Sequence, residues 1–151
     1  MGFGWDKIGI IFSIMILPFV FIQIPVGYLS DKVFGEKEIL SIGFIVMAIS
    51  TAMIPLIDTD DLVTWALVLF TTRVGAAMVE VMNDTYFFKK VSDKNLNLIN
   101  LYRMVNPMAY ITGPIIATML ILFMPFVNIF YVLAFIMLFG LRYSLAIKDT
   151  R

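Results

Sequence analysis

The sequence contains no cysteine and no histidine. Without cysteine there is neither a disulfide nor a thiolate metal site, and the redox compartment stays open. Without histidine the commonest acid–base side chain is missing, and both of the commonest zinc ligands are then gone. Composition therefore argues against a zinc enzyme or a histidine-based hydrolase, and no cofactor or metal is expected. Charge is also scarce: 15% of the residues are charged and the formal net charge is +0. Soluble domains carry about 25%. Nothing supplies the basic surface that nucleic acid needs, so what remains informative is where the few charges sit.

What the chain has instead is apolar sequence, 61% of it, arranged in runs. Five runs are long enough to cross a bilayer: Ile8–Tyr28, Ile39–Ile57, Leu62–Met82, Leu98–Phe123 and Val127–Ile147. A spanning helix needs about 20 mainly apolar residues. No stretch alternates like a strand, and lipid excludes open sheet edges, so the expected fold is an all-α integral membrane protein with five transmembrane helices. Met1 to Lys7 opens like a signal peptide, but the run behind it is too long and lacks a small-residue cleavage site.

The connectors differ in charge. Lys32 and Lys37 lie in the first, Lys89, Lys90 and Lys94 in the third, and Lys148 and Arg151 in the tail, whereas Asp58, Asp60 and Asp61 fill the second. Basic residues in alternate loops place the N-terminus outside and the C-terminus in the cytoplasm of a cell (plasma or inner) membrane. An odd number of spans with an outside N-terminus and no cleavable signal leads one to expect at least one further helix upstream.

Three ionisable residues lie well inside the spans: Arg73, Glu80 and Arg103. Each costs roughly 2.5–3.5 kcal/mol at mid-membrane if unpaired. Arg73 and Glu80 share a helix face about 10 Å apart, with the small residues Gly75, Ala76 and Ala77 between them. Glu80 and Arg103 fall at similar depths and are placed to form a buried ion pair. That pair is either a structural tie or a coupling group that titrates or binds ligand. Arg73 lies near the midplane and either faces a cavity or pairs with a helix outside the chain. Arg142 can snorkel to the interface. Asp84 and Tyr86, beside Lys89 and Lys90, read as interface anchors.

The fourth span carries Pro107 and the pair Gly113–Pro114, with Asn106, Tyr110 and Thr112 around them. An interrupted polar helix suits a transporter binding site, and a kink needed only for packing fits equally. Pro18 and Pro25 bend the first span around Gln23, which faces protein or water rather than lipid.

The charged turn after the first span reads Gly27-Tyr28-Leu29-Ser30-Asp31-Lys32-Val33-Phe34-Gly35-Glu36-Lys37. It resembles the cytoplasmic loop G-x-L-x-D-R-x-G-R-K of the major facilitator superfamily of secondary transporters. The matching residues are Gly27, Leu29, Asp31, Lys32, Gly35 and Lys37; Phe34 is an insertion and Glu36 replaces an arginine. Arg73 with Gly75 and Ala77, and Gly113–Pro114, are similar to landmarks of later helices in that family. The resemblance covers almost the whole chain and fits helices eight to twelve, most of one six-helix bundle, though the glycine–proline pair is strongest in N-terminal halves. It implies that Asp31 stabilises a gate and that glycine lets the loop turn tightly.

The resulting expectation is a transporter fragment that moves a small solute by alternating access. Arg73, Gln23, Asn106 and Tyr110 would line its cavity, Glu80 and Arg103 would couple behind them, and Gly113–Pro114 would bend a moving helix. Its partners would be the lipid bilayer, a small-molecule solute and the missing N-terminal half or complementary helices. The alternative is a non-transporting membrane scaffold or subunit, in which Arg73 and Glu80 satisfy each other or a partner chain. Cysteine accessibility at Val74, Ala77 and Val81 would separate the two. No enzyme is expected: the spans hold no deep aspartate pair or serine–histidine pair. One midplane arginine leans mildly toward an anionic or polar solute.

Overall fold

The computed structural model describes residues 4–91 and 95–147, with the side chain of Asp31 outside that description. Every regular element among the described residues is helical. In order they are α1 (Trp5–Phe21), α2 (Gln23–Lys32), α3 (Glu36–Met53), a 3-10 turn (Ile54–Leu56), α4 (Leu62–Lys90), α5 (Leu96–Phe123) and α6 (Asn128–Ala146). Five helical stretches are long and apolar enough to span a membrane: Trp5–Ser30, Glu36–Leu56, Leu62–Lys90, Leu96–Phe123 and Asn128–Ala146. The all-α membrane fold read from the sequence is the fold observed. The third span extends beyond Met82, carrying Asp84, Phe87 and Lys89 on the same helix as Glu80.

Of the two spans expected to bend at prolines, the first is the one that breaks. α5 runs as one helix through Pro107 and Pro114, while the first span breaks at Ile22. Pro25 has no N–H for the Phe21 carbonyl, and its ring crowds that oxygen. The ladder resumes at once, with Ile22 N–H on the Pro18 carbonyl at 2.9 Å and Val26 N–H on the Ile22 carbonyl at 3.0 Å. In α5 the turns holding the prolines gain hydroxyl bonds: Thr112 donates to the Met108 carbonyl at 2.9 Å and Thr118 to the Pro114 carbonyl at 2.8 Å. The carbonyls that Pro107 and Pro114 deprive of a donor are those of Arg103 and Tyr110, so these bonds lie beside the prolines and do not replace the lost ones. No serine or threonine lies between Phe21 and Leu29, and Gly27 loosens that stretch further.

α3 sits centrally, with α4 on one side and α6 on the other, and the first span packs on α4. Lipid supplies no hydrophobic drive between helices, so close backbone approach and interhelical hydrogen bonds must hold them. The closest approach is between Gly43 and Gly75. A Cβ at Gly75 would lie 2.7 Å from the Gly43 carbonyl oxygen and 2.8 Å from the Met47 nitrogen. Met78 and Val79 continue that seam, each within about 3 Å of where a Cβ on Gly43 would sit. Toward α6, the Ser41 and Ser144 hydroxyls meet at 2.8 Å and Thr51 reaches the Met137 sulfur at 3.7 Å. Two apolar clusters close the ends of the bundle, Ile11, Ile54, Trp65 and Ala66 at one and Ile39, Leu40 and Met82 at the other.

α5 stands apart and contains no buried residue. Tyr102 ties it to α4, stacking on Phe87 with ring centroids 3.9 Å apart.

Candidate functional site

The chain brings polar side chains of α4 and α5 together along one cleft. On α4, Ala76, Glu80, Asn83 and Phe87 recur at helical spacing and so form one stripe. On α5, Tyr102, Asn106 and Tyr110 do the same at four-residue intervals. Two adjoining cavities lie between these stripes. One, of ≈ 300 Å³, is lined by Met47, Ala76, Glu80, Asn106 and Tyr110, among others. The second, of ≈ 350 Å³, is lined by Phe88, Arg103 and Val105. Asn83, Asp84, Tyr102 and Asn106 belong to both walls.

At the junction the Tyr102 hydroxyl donates to the Asp84 carboxylate at 2.6 Å. This bond and the Phe87 stack fix Tyr102 as a partition between the two cavities. What lines them is acids, amides, phenols and one guanidinium, all able to hydrogen-bond a polar solute.

Of the residues singled out from the sequence, Asn106, Tyr110 and Glu80 meet in the first cavity and Arg103 stands in the second. Glu80 and Arg103 are both exposed, and no ion pair joins them among the described residues. Equal depth alone does not make a pair, because Tyr102 and Asn106 occupy the space between the helices. Arg73 is exposed on the same stripe, one turn beyond Ala76, and lines neither cavity. Arg73 and Glu80 do not pair with each other among the described residues, which leaves the scaffold reading its other form, a partner chain that satisfies them. Gln23 opens α2 just past the break and is exposed, away from both cavities. Gly113 has open space where a side chain would go.

Asp84 and Tyr102 are the residues that sequence reading missed. Asp84 looked like an interface anchor because the span was expected to end at Met82. Its four-residue spacing from Glu80 was the signal that could have placed it on the cleft.

The charged turn also differs from its sequence reading. Gly35 is buried and extended, with φ −84° and ψ 170°, and no described glycine has a positive φ. Tight turning is therefore not what glycine provides here; its N–H instead binds the Glu38 carboxylate at 3.0 Å. Leu29 and Lys32 are exposed, with the Lys32 ammonium 4.6 Å from the Tyr28 ring centre, and Gly27 and Lys37 are half-buried. The expected latch, Asp31, lies outside the described side chains. Glu36, a departure from the family pattern, becomes the buried charge of the turn. It is 2% exposed and pairs with Lys89 at 2.8 Å. Glu36 opens α3 and Lys89 closes α4, so each charge also opposes the dipole end of its helix.

These features define a multi-pass helical membrane protein with a polar cleft inside its spans. The chain matches the Major Facilitator Superfamily model over residues 2–149 and belongs to that family, whose members are transporters rather than enzymes. No curated protein and no solved structure matches the chain.

Proposed function

We propose that this chain forms part of a secondary active transporter that moves a small polar solute by alternating access. The α4–α5 cleft is one wall of the solute path. The observation that carries this reading is the set Glu80, Asn83, Asp84, Tyr102 and Asn106 converging on two cavities within membrane-spanning helices. Lipid penalises such groups, so they face water, solute or protein. Arg103, Asn106 and Tyr110 are exposed on a helix with no buried residue, which supports a complementary set of helices covering α5 in the working transporter. That arrangement suits one bundle of a two-bundle protein, and helices eight to twelve are the assignment the loop motif favours.

The N-terminus lies outside a cell membrane and the C-terminus in the cytoplasm. Supporting this, Lys32, Lys37, Lys89 and Lys90 gather at one end of the bundle and Asp58, Asp60 and Asp61 at the other. 

The test is thiol labelling, made clean by the absence of native cysteine. Single cysteines at Ala76 and Asn106 should react with a small water-soluble thiol reagent, while one at Ala77, which is fully buried, should not. Protection of Ala76 and Asn106 with the chain folded in a bilayer would refute a water-filled cleft.

A further inference from the structure

At the acidic end of the bundle lies the largest of the described cavities, ≈ 440 Å³, separate from the α4–α5 cleft. This falls within the range of about 300–1,000 Å³ typical of small-ligand sites. Its walls include Ile54, Trp65, Phe126 and Phe130, and Asp58 and Asp60 stand at its mouth. Trp65 is buried, and its indole N–H donates to the Thr59 carbonyl at 2.8 Å, which anchors the ring. The Phe126 and Phe130 rings meet edge to face at 5.7 Å.

The three aspartates of this loop are not equivalent. Asp61 is occupied: its carboxylate caps α4, accepting from the Thr64 N–H at 2.8 Å and the Thr64 hydroxyl at 2.7 Å. Asp58 and Asp60 have no hydrogen bond or ion pair from their side chains among the described residues. The described base at this end, Lys7, stands on the first turn of α1 and makes no hydrogen bond or ion pair to either of them.

We propose that this cavity binds an amphipathic organic cation, its apolar body against Trp65, Phe126 and Phe130 and its positive centre at Asp58 and Asp60. Aromatic faces attract a cation that is partly desolvated, and unpaired carboxylates at the rim add Coulomb attraction. A neutral solute gains nothing from the rim, and an anion is repelled. The site is distinct from the polar cleft, so it is an accessory or regulatory site rather than the solute path.

The chain carries its own reporter. It has two tryptophans, and Trp5→Phe leaves Trp65 as the single emitter. Tetraphenylphosphonium and tetraphenylborate, nearly the same shape with opposite charge, would be titrated into this variant in nanodiscs of neutral lipid. The expected result is a saturable change in Trp65 emission with the phosphonium and none with the borate. Asp58→Asn with Asp60→Asn, two exposed loop positions, should weaken phosphonium binding roughly tenfold, the factor of a modest rim ion pair. Equal response to both ions would overturn the proposal, as would binding unchanged by the double substitution or no change in Trp65 emission.

Discussion

Gly75 offers the sharpest test of how this bundle is held together. A methyl group placed there by Gly75→Ala would lie 2.7 Å from the Gly43 carbonyl oxygen and 2.8 Å from the Met47 nitrogen. Both are backbone atoms of α3, so no side chain can rotate away and the helices must part. Overpacking of this kind costs about 1–3 kcal/mol. Alanine also gains about 1 kcal/mol over glycine in a helix interior, which obscures the clash if the variant is measured alone. Gly113→Ala removes that ambiguity, because Gly113 is also helical and has nothing within 4 Å of the added methyl. The propensity gain is common to both variants and cancels in their difference. Equilibrium unfolding in mixed micelles with rising SDS, followed by tryptophan emission, should place Gly75→Ala about 1–3 kcal/mol below Gly113→Ala. Equal stabilities would refute the argument that α3 and α4 are held by glycine-limited approach.

Lys89→Met removes the ammonium that the buried Glu36 carboxylate pairs with and should destabilise the chain by about 1–3 kcal/mol, discounted because Lys89 itself is partly open to solvent. The double variant Glu36→Gln with Lys89→Met should recover part of that loss in the same unfolding assay. Tyr102→Phe keeps the Phe87 stack but loses the Asp84 hydrogen bond, costing about 1 kcal/mol. Tyr102→Ala loses both and should raise thiol reactivity of a cysteine at Asn83. Hydrogen bonds from Thr64 hold the Asp61 carboxyl below its ordinary value of 3.8, so its folded form favours the charged state. The cap is thus complete above the ordinary aspartate range and is lost as pH falls through the lowered value. Amide exchange at Thr64 should rise over that acid range and rise at all pH values in Asp61→Ala. Glu80→Gln in a transporting assembly should abolish solute uptake while leaving expression unchanged if Glu80 couples or binds. Normal uptake would remove Glu80 from the mechanism.

The helical spans were legible because lipid leaves the backbone few options, so run length and composition nearly determine the element. Their ends were less so: α4 continues unbroken through Asn83, Asp84 and Thr85, polar residues that hydropathy takes for the end of a span, and the first two of them line the cleft. Prolines were a partial guide: both spans carry two of them seven residues apart, and the first breaks between its pair while α5 runs through as one helix. Asn106, Tyr110 and Glu80 converge because four-residue and seven-residue spacings survive folding. The Glu80–Arg103 pairing does not form because depth fixes one coordinate and the helix separation at Tyr102 fixes another.

That separation bears on how such a protein works. The contacts that hold α3 to α4 and α6 are backbone-close and hydroxyl-bonded, whereas α5 meets α4 through one stacked, hydrogen-bonded tyrosine. Packed seams of the first kind resist continuous deformation and move as units. α5 also meets α6 near the short turn that joins them, so a tilt of α5 would be hinged there and at Tyr102. Were α5 to tilt so, the two cavities that share Tyr102 would change volume in opposite senses. The expected signature is reciprocal labelling: a substitution that raises the reactivity of a cysteine at Tyr110 should lower that of one at Val105. If both rose together, α5 would be leaving the bundle rather than rocking within it.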